Sequence, residues 1–97
     1  MASHFLCRLI PPRPTFPADM TSAEAAVMQR HAAYWRELLA QGKAIAFGPV
    51  ADPKGAWGLG LVRAGDEAEL RELQSKDPAL ELGMRYESLP MLALVSK

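Results

Sequence analysis

The chain has 97 residues with one cysteine and two histidines, and its 11 basic residues balance its 11 acidic residues. Because the chain has no net charge to attract an anionic partner, neither nucleic acid nor a membrane surface is expected as a partner. The lone cysteine excludes an internal disulfide, and two histidines argue against a structural zinc site. A single domain over residues 1–97 then has a thin core, and a second copy of the chain is the remaining source of buried area.

The first residues predict a strand rather than a targeting segment. The N-terminal apolar run is too short for a signal peptide or a membrane span, so a cytoplasmic location is expected. Residues 4–10 alternate, with Phe5, Cys7 and Leu9 on one face, which is typical of a strand. Four prolines in residues 11–17 then end strand pairing, because proline has no N–H to donate. The connection is about ten residues long, longer than usual, and is a candidate for a loop that forms part of a site.

The segment after this loop predicts a helix over residues 22–41. A T-x-x-E capping box at residues 21–24 marks its start, and Gly42 supplies the stop. Apolar residues recur at spacings of three and four along it. His31 lies inside that apolar stripe, four residues before Trp35. The stripe therefore predicts that His31 faces the core or a pocket.

Two strands are predicted next, over residues 43–50 and 56–63, with a turn between them. Gly58 and Gly60 occupy alternate positions of the third strand, which often marks close approach of another backbone or a ligand. The segment GLGLVRAG does not match a dinucleotide-binding fingerprint, because that motif needs its glycines in the turn after a strand. No cofactor is expected.

The C-terminal part predicts a second helix and a final strand. Asp66 caps the helix, which ends at Asp77, and alternation returns over residues 81–97, apolar on both faces from Leu89 onward. The order strand, helix, strand, strand, helix, strand predicts an α+β, ferredoxin-like fold with a four-stranded antiparallel sheet and both helices on one face. The uncovered face would carry many apolar side chains, so a homodimer or higher oligomer packed sheet to sheet is expected.

His31 is the main candidate for chemistry. A metal site is disfavoured, because the helical neighbours three and four positions away are not ligands; they are Val27, Met28, Tyr34 and Trp35. A general base needs only one imidazole near neutrality in a pocket, oriented by a carboxylate or a carbonyl. A core histidine bonded to a backbone carbonyl is the alternative. Trp35 and Trp57 are likewise either core residues or pocket walls that bind substrate.

Several short motifs follow one another along the chain. In order, they are His31, Gly48-Pro49, Gly55, the segment DEAELRELQSKDP that ends in Asp77-Pro78, Gly83, and Pro90. Taken together, they resemble the YciI-like proteins, which contain a YCII-related domain. The resemblance implies a dimer of ferredoxin-like subunits, the dimeric α+β barrel, with a small-molecule pocket. By the same resemblance, His31 and Asp77 contribute catalytic groups, while Gly48 and Pro49 shape the pocket wall.

The resemblance implies no single reaction, since some members act in pathways on small ring or halogenated compounds and many have no assigned reaction. Two functions stay open for this chain. In the first, it is an enzyme in which His31 moves a proton on a small metabolite and Asp77 sets the histidine's tautomer. In the second, it is a non-catalytic module that holds a metabolite or mediates dimerisation.

Overall fold

The computed structural model describes residues 3–95, which form a four-stranded antiparallel sheet and two α-helices. The elements in chain order are β1 (His4–Ile10), α1 (Ser22–Ala40), β2 (Ala44–Val50), β3 (Trp57–Arg63), α2 (Glu67–Ser75), a 3₁₀ helix (Pro78–Leu82) and β4 (Arg85–Pro90). The strands lie in the order β2-β3-β1-β4. This is the ferredoxin-like arrangement, and the predicted fold class is confirmed.

Both α-helices cover the same face of the sheet. Alternate residues of β1, among them Phe5 and Cys7, are buried on that face and share one core cluster with Trp35 of α1 and Leu70 of α2. Strand neighbours point to opposite faces, so one set of β1 side chains packs under the helices and the other set does not. Burial of these apolar side chains is the main term that holds the helices to the sheet.

The helix ends are fixed by the side chains that the sequence indicates. At the start of α1, the Thr21 hydroxyl accepts from Glu24 N at 3.1 Å, and the Glu24 carboxylate accepts from Thr21 N at 2.9 Å. At the start of α2, Asp66 accepts from Glu69 N at 2.8 Å. Each bond satisfies a backbone N–H that has no partner within its own helix. Within residues 3–95, no helix is long and apolar enough to cross a bilayer.

The sheet face away from the helices carries a continuous apolar row. Leu6 of β1 lies opposite Leu89 of β4 on one side and opposite Leu61 of β3 on the other, and Leu61 lies opposite Ala46 of β2. Leu6 and Leu61 are only partly buried, and Leu89 is 62% exposed. The row therefore crosses all four strands without a covering element in the described part of the chain.

The last strand is shorter than its sequence predicts. Alternation continues past residue 90, but β4 ends at Pro90, and residues 91–95 have no regular secondary structure. The physical reason is that β1 begins at His4, whose carbonyl accepts from Met91 N at 2.9 Å, so within residues 3–95 no strand lies opposite residues 92–95. Leu92 and Val95 are almost fully exposed as a result. The predicted strand after Pro90 is thus wrong over the described residues, and its final two positions, 96–97, lie outside them.

Candidate functional site

A pocket of about 320 Å³ lies between α1, the loop of residues 11–21 and the β2–β3 side of the sheet. It is lined by almost exclusively apolar side chains. The residues predicted from the sequence that line it are His31, Trp35, Gly48, Pro49 and Trp57. Asp77 does not line the pocket but lies directly behind His31. The structure thus brings the predicted residues together around one cavity, while their roles in binding or catalysis stay predictions.

The position of Asp77 is set by the chain around it. It is the N-cap of the 3₁₀ helix that begins at Pro78, and its Oδ1 accepts from Ala79 N at 2.9 Å. Aspartate is favoured as an N-cap because its carboxylate satisfies a free backbone N–H, and proline is favoured next because it has none. Asp77 is therefore fixed by local backbone geometry, with its side chain 0% exposed.

His31 and Asp77 form a hydrogen-bonded pair. Nδ1 of His31 lies 2.8 Å from Oδ1 and 2.9 Å from Oδ2 of Asp77. An ionised carboxylate can only accept, so Nδ1 must carry the proton of this bond. No protein group within residues 3–95 bonds Nε2, and the His31 side chain is 14% exposed where it faces the pocket. The neutral imidazole therefore presents a lone pair to the cavity.

Two further side chains donate to the same carboxylate. Nε1 of Trp35 lies 3.0 Å from Oδ2 of Asp77, and the hydroxyl of Tyr86 on β4 also donates to Oδ2. Trp35 Nε1 lies 3.2 Å from the Tyr86 oxygen as well, so the three side chains form a closed network. Buried polar networks of this kind fix side-chain positions when every member has a partner.

The pKa shifts of this network follow from burial and charge. Burial by itself raises the pKa of Asp77, but the hydrogen bonds from His31, Tyr86 and Ala79 N outweigh it, and the net pKa lies below its usual range. Burial, and then the nearby Asp77 charge, raise the pKa of Tyr86 far above its usual value. Asp77 is thus the ionised member of the network, and Tyr86 is a neutral donor.

Tyr86 is the site residue that sequence reasoning missed. The alternation of side chains between two strand faces in residues 81–97 assigns Tyr86 to one face. It treats the residue only as an apolar ring. Its hydroxyl supplies the signal that could have been used, because a buried tyrosine O–H needs a hydrogen-bond partner. In the structure that partner is Asp77, nine positions earlier in the chain.

The proline-rich loop forms one wall of the pocket through Phe16, Pro17 and Met20. Arg13 holds it in place, because its guanidinium donates to both Glu24 oxygens at 2.7 Å and to Asp19 at 3.0 Å. Phe16 is buried in a second core cluster, whose other members are Leu9, Ala79 and Met84. The loop is therefore packed and ion-paired, and it lines the cavity.

Trp57 lies at the β2–β3 end of the pocket. Its Nε1 donates to Asp52 at 3.0 Å, and the Arg8 guanidinium stacks over its ring at 4.6 Å from the ring centre. Asp52 also accepts from Lys54 N at 2.9 Å, so the turn that follows β2 is tied to the indole. Trp57 and Trp35 thus both have their indole N–H groups bound by carboxylates, Asp52 of the turn and the buried Asp77.

No cluster of three or more histidine, cysteine, aspartate or glutamate side chains that could hold a metal ion lies within residues 3–95. The fold and site together define a ferredoxin-like α+β domain with an apolar pocket and a histidine–aspartate pair at its edge. A family model described as the YCII-related domain matches residues 5–92, so the chain belongs to the YCII-related domain family. No curated protein matches the chain.

Proposed function

We propose that the chain is a YciI-like protein that binds a small apolar molecule in this pocket and that His31 exchanges a proton with it. The main support is the bond between Nδ1 of His31 and the buried Asp77 carboxylate. In the described part of the chain Nε2 has no hydrogen-bond partner, and it is an acceptor beside the cavity. Asp77 acts in this proposal as a positioning residue, because it touches His31 rather than the bound molecule.

The proposed step is a single proton transfer. Nε2 takes a proton from an acidic O–H or C–H of the bound molecule, and the electron pair of that bond stays on the molecule. The imidazolium that forms keeps its Nδ1–H on the ionised Asp77. Return of the proton to the same or another atom of the molecule completes an isomerisation or exchange reaction.

The alternative is a non-catalytic module that holds the same kind of molecule without changing it. The apolar cavity by itself supports binding, since pockets of about 300 Å³ and above are typical of small-molecule sites. The two functions differ only in whether the His31 proton moves to and from the ligand. An exchange experiment separates them without knowledge of the natural ligand.

The test uses β-tetralone, a neutral bicyclic ketone with acidic C–H groups, in D₂O at neutral pH. Proton NMR follows loss of the C–H signals, and saturation transfer in the same sample reports binding. We expect the protein to accelerate the exchange and the His31→Gln variant to bind the ketone without accelerating it. Binding to the parent protein without faster exchange would leave the non-catalytic module as the function. Equal acceleration by His31→Gln would overturn the role of His31.

We also propose that a second copy of the chain packs on the uncovered sheet face. The support is the apolar row through Leu6, Leu61 and Leu89, which no element of residues 3–95 covers in a single copy. Soluble monomers rarely leave contiguous apolar patches of more than a few hundred square ångströms in water. A sheet-to-sheet homodimer would cover this row and add buried area to a thin core.

A further inference from the structure

Most polar side-chain atoms that line the pocket already form hydrogen bonds within the protein. Trp35 donates to Asp77, Tyr86 donates to Asp77, and Trp57 donates to Asp52. The remaining polar side chain in the described lining is His31, whose Nδ1 is also bound to Asp77. Among these lining side chains within residues 3–95, Nε2 of His31 is therefore the nitrogen without a protein partner, and in the neutral ring it is an acceptor.

The pocket offers no positive side chain to a ligand. Within residues 3–95, no lysine or arginine lines it, although the guanidinium groups of Arg8 and Arg13 lie against the rings of the lining residues Trp57 and Phe16. The negative Asp77 is bonded to His31, which does line the pocket. An anion placed there would lose its water without gaining a cation, and it would face a charge of its own sign. The electrostatics of the site thus favour a neutral ligand over its conjugate base.

The walls indicate a ring-shaped ligand. The rings of Trp35 and Phe47 lie 5.9 Å apart between centroids, tilted by 31°, and Phe16 of the loop also lines the cavity. Aromatic walls favour stacked or edge-on rings. A dry cavity of about 150 Å³ is enough for benzene, and this pocket measures about 320 Å³. One or two rings therefore fit.

We infer that the ligand is a neutral molecule of one or two apolar rings that donates a single hydrogen bond, from a hydroxyl or a comparable acidic group, to Nε2 of His31. The site discriminates against the anion of the same molecule. This inference rests on the proposed function, because it names the class of molecule that the pocket takes, but it concerns recognition and not proton transfer.

The test compares three probes of one shape. β-Naphthol carries a hydroxyl and is neutral at pH 7, naphthalene carries no polar group, and β-naphthoate is ionised. We expect β-naphthol to bind about 3- to 10-fold more tightly than naphthalene, which is the range that one net hydrogen bond supplies. β-Naphthoate is expected to bind more weakly than naphthalene. Fluorescence titration measures all three dissociation constants.

The His31→Leu variant assigns the preference to Nε2, because leucine fills similar space without a nitrogen. It should retain naphthalene binding and lose the advantage of β-naphthol, whereas the control Gln29→Ala, on the exposed side of α1, should keep the parent order. If His31→Leu does not fold, the order of the three dissociation constants on the parent protein tests the inference without the variant.

The outcomes separate this inference from the proposed function. Tightest binding of β-naphthoate, or an advantage of β-naphthol that survives in His31→Leu, would overturn the inference alone, since β-tetralone exchange would be unaffected. Failure of all three probes to bind would overturn it together with the proposed apolar pocket function.

Discussion

Gly60 lies directly under the ring of Trp35. A Cβ atom at position 60 would be 2.4 Å from Cη2 of that ring, a distance that real contacts do not reach. The glycine on β3 therefore lets the six-membered ring of the Trp35 indole approach the strand backbone closely. In that position the Trp35 N–H meets Asp77, so the missing side chain at residue 60 helps to orient the carboxylate that holds His31.

The first prediction is that Gly60→Ala destabilises the protein. The added methyl group must push the Trp35 ring away from β3, and overpacking of a core typically costs about 1–3 kcal/mol of the free energy of unfolding. Gly48→Ala, at a strand glycine with no atom within 4 Å of the added Cβ, is the matched control and should be close to neutral. Urea denaturation measures both variants, and equal midpoints for the two would contradict the role of Gly60.

The second prediction concerns the tautomer of His31. In the parent protein the neutral ring carries its proton on Nδ1, because Asp77 can only accept. In Asp77→Asn the amide NH₂ can face the ring, and we expect the proton to move to Nε2. Long-range proton–nitrogen NMR spectra distinguish the two tautomers, and His4 provides an internal reference that should not change.

The same variant should lose stability. In the parent protein Oδ2 of Asp77 accepts from Trp35 and Tyr86 while Oδ1 accepts from Ala79 N, and asparagine has one acceptor oxygen for these three donors. A buried donor left without a partner costs about 1–3 kcal/mol. An unchanged tautomer together with unchanged stability would show that the Asp77 network does not position His31.

The third prediction is a pH dependence of stability that originates at Glu24. The hydrogen bonds from Arg13, followed by the bond from Thr21 N, lower the pKa of Glu24 from 4.5 to about 2 in the folded protein. Because the folded pKa is the lower one, the contribution is complete above pH 4.5 and is lost as the pH falls toward 2. We expect the free energy of unfolding of Glu24→Gln to depend less on pH in this window.

The exposed Glu67→Gln variant on α2 is the control for this experiment. Asp77, whose pKa is also lowered, adds a contribution of the same sign at acid pH and is present in both variants. If the free energy of unfolding changed equally with pH in Glu24→Gln and in the parent protein, the Arg13 ion pair would not contribute to stability.

The fourth prediction links the loop to the pocket. Arg13→Ala removes the bonds to Glu24 and Asp19, so the wall formed by Phe16 and Met20 is held less firmly. We expect weaker naphthalene binding and faster amide hydrogen exchange at Phe16 and Met20. Arg71→Ala, which removes an exposed ion pair with Glu67, should change neither quantity. Unaltered binding in Arg13→Ala would show that the loop wall is held by Phe16 burial alone.

The fifth prediction concerns the proposed homodimer. Light scattering of the parent protein should report a mass near twice 10.6 kDa. Leu6→Asp introduces a charge in the middle of the apolar row and should give a folded monomer, whereas Gln29→Glu on the exposed side of α1 should remain a dimer. A parent protein that scatters as a 10.6 kDa species would reject the proposal.

Local signals in the sequence were sufficient for most of the fold. The caps at Thr21 and Asp66 each depend on residues three positions apart, so a sequence pattern contains all the information needed. The strand predicted beyond Pro90 failed because alternation reports which face a residue would take and not whether a neighbouring strand lies opposite. Strand pairing depends on tertiary structure, and only His4 of β1 remains beyond the position opposite Pro90.

Less of the candidate site than of the fold could be predicted from the sequence. The resemblance named His31 and Asp77, but 46 positions separate them, and no spacing rule brings such residues into contact. The contribution of Tyr86 depends on the register between β4 and β1, where it lies opposite Leu9. The close contact of the Trp35 ring with Gly60 likewise depends on how α1 packs over β3.

The cap formed by Asp77 has a consequence for how a ligand would enter the pocket. Its carboxylate is held by Ala79 N, Trp35 and Tyr86, all of which belong to the folded chain. The imidazole is therefore oriented before any ligand arrives, and association requires no ordering of this group. Such preorganisation lowers the entropic cost of binding, so entry of the ligand past the loop, rather than rearrangement of His31, should limit the association rate.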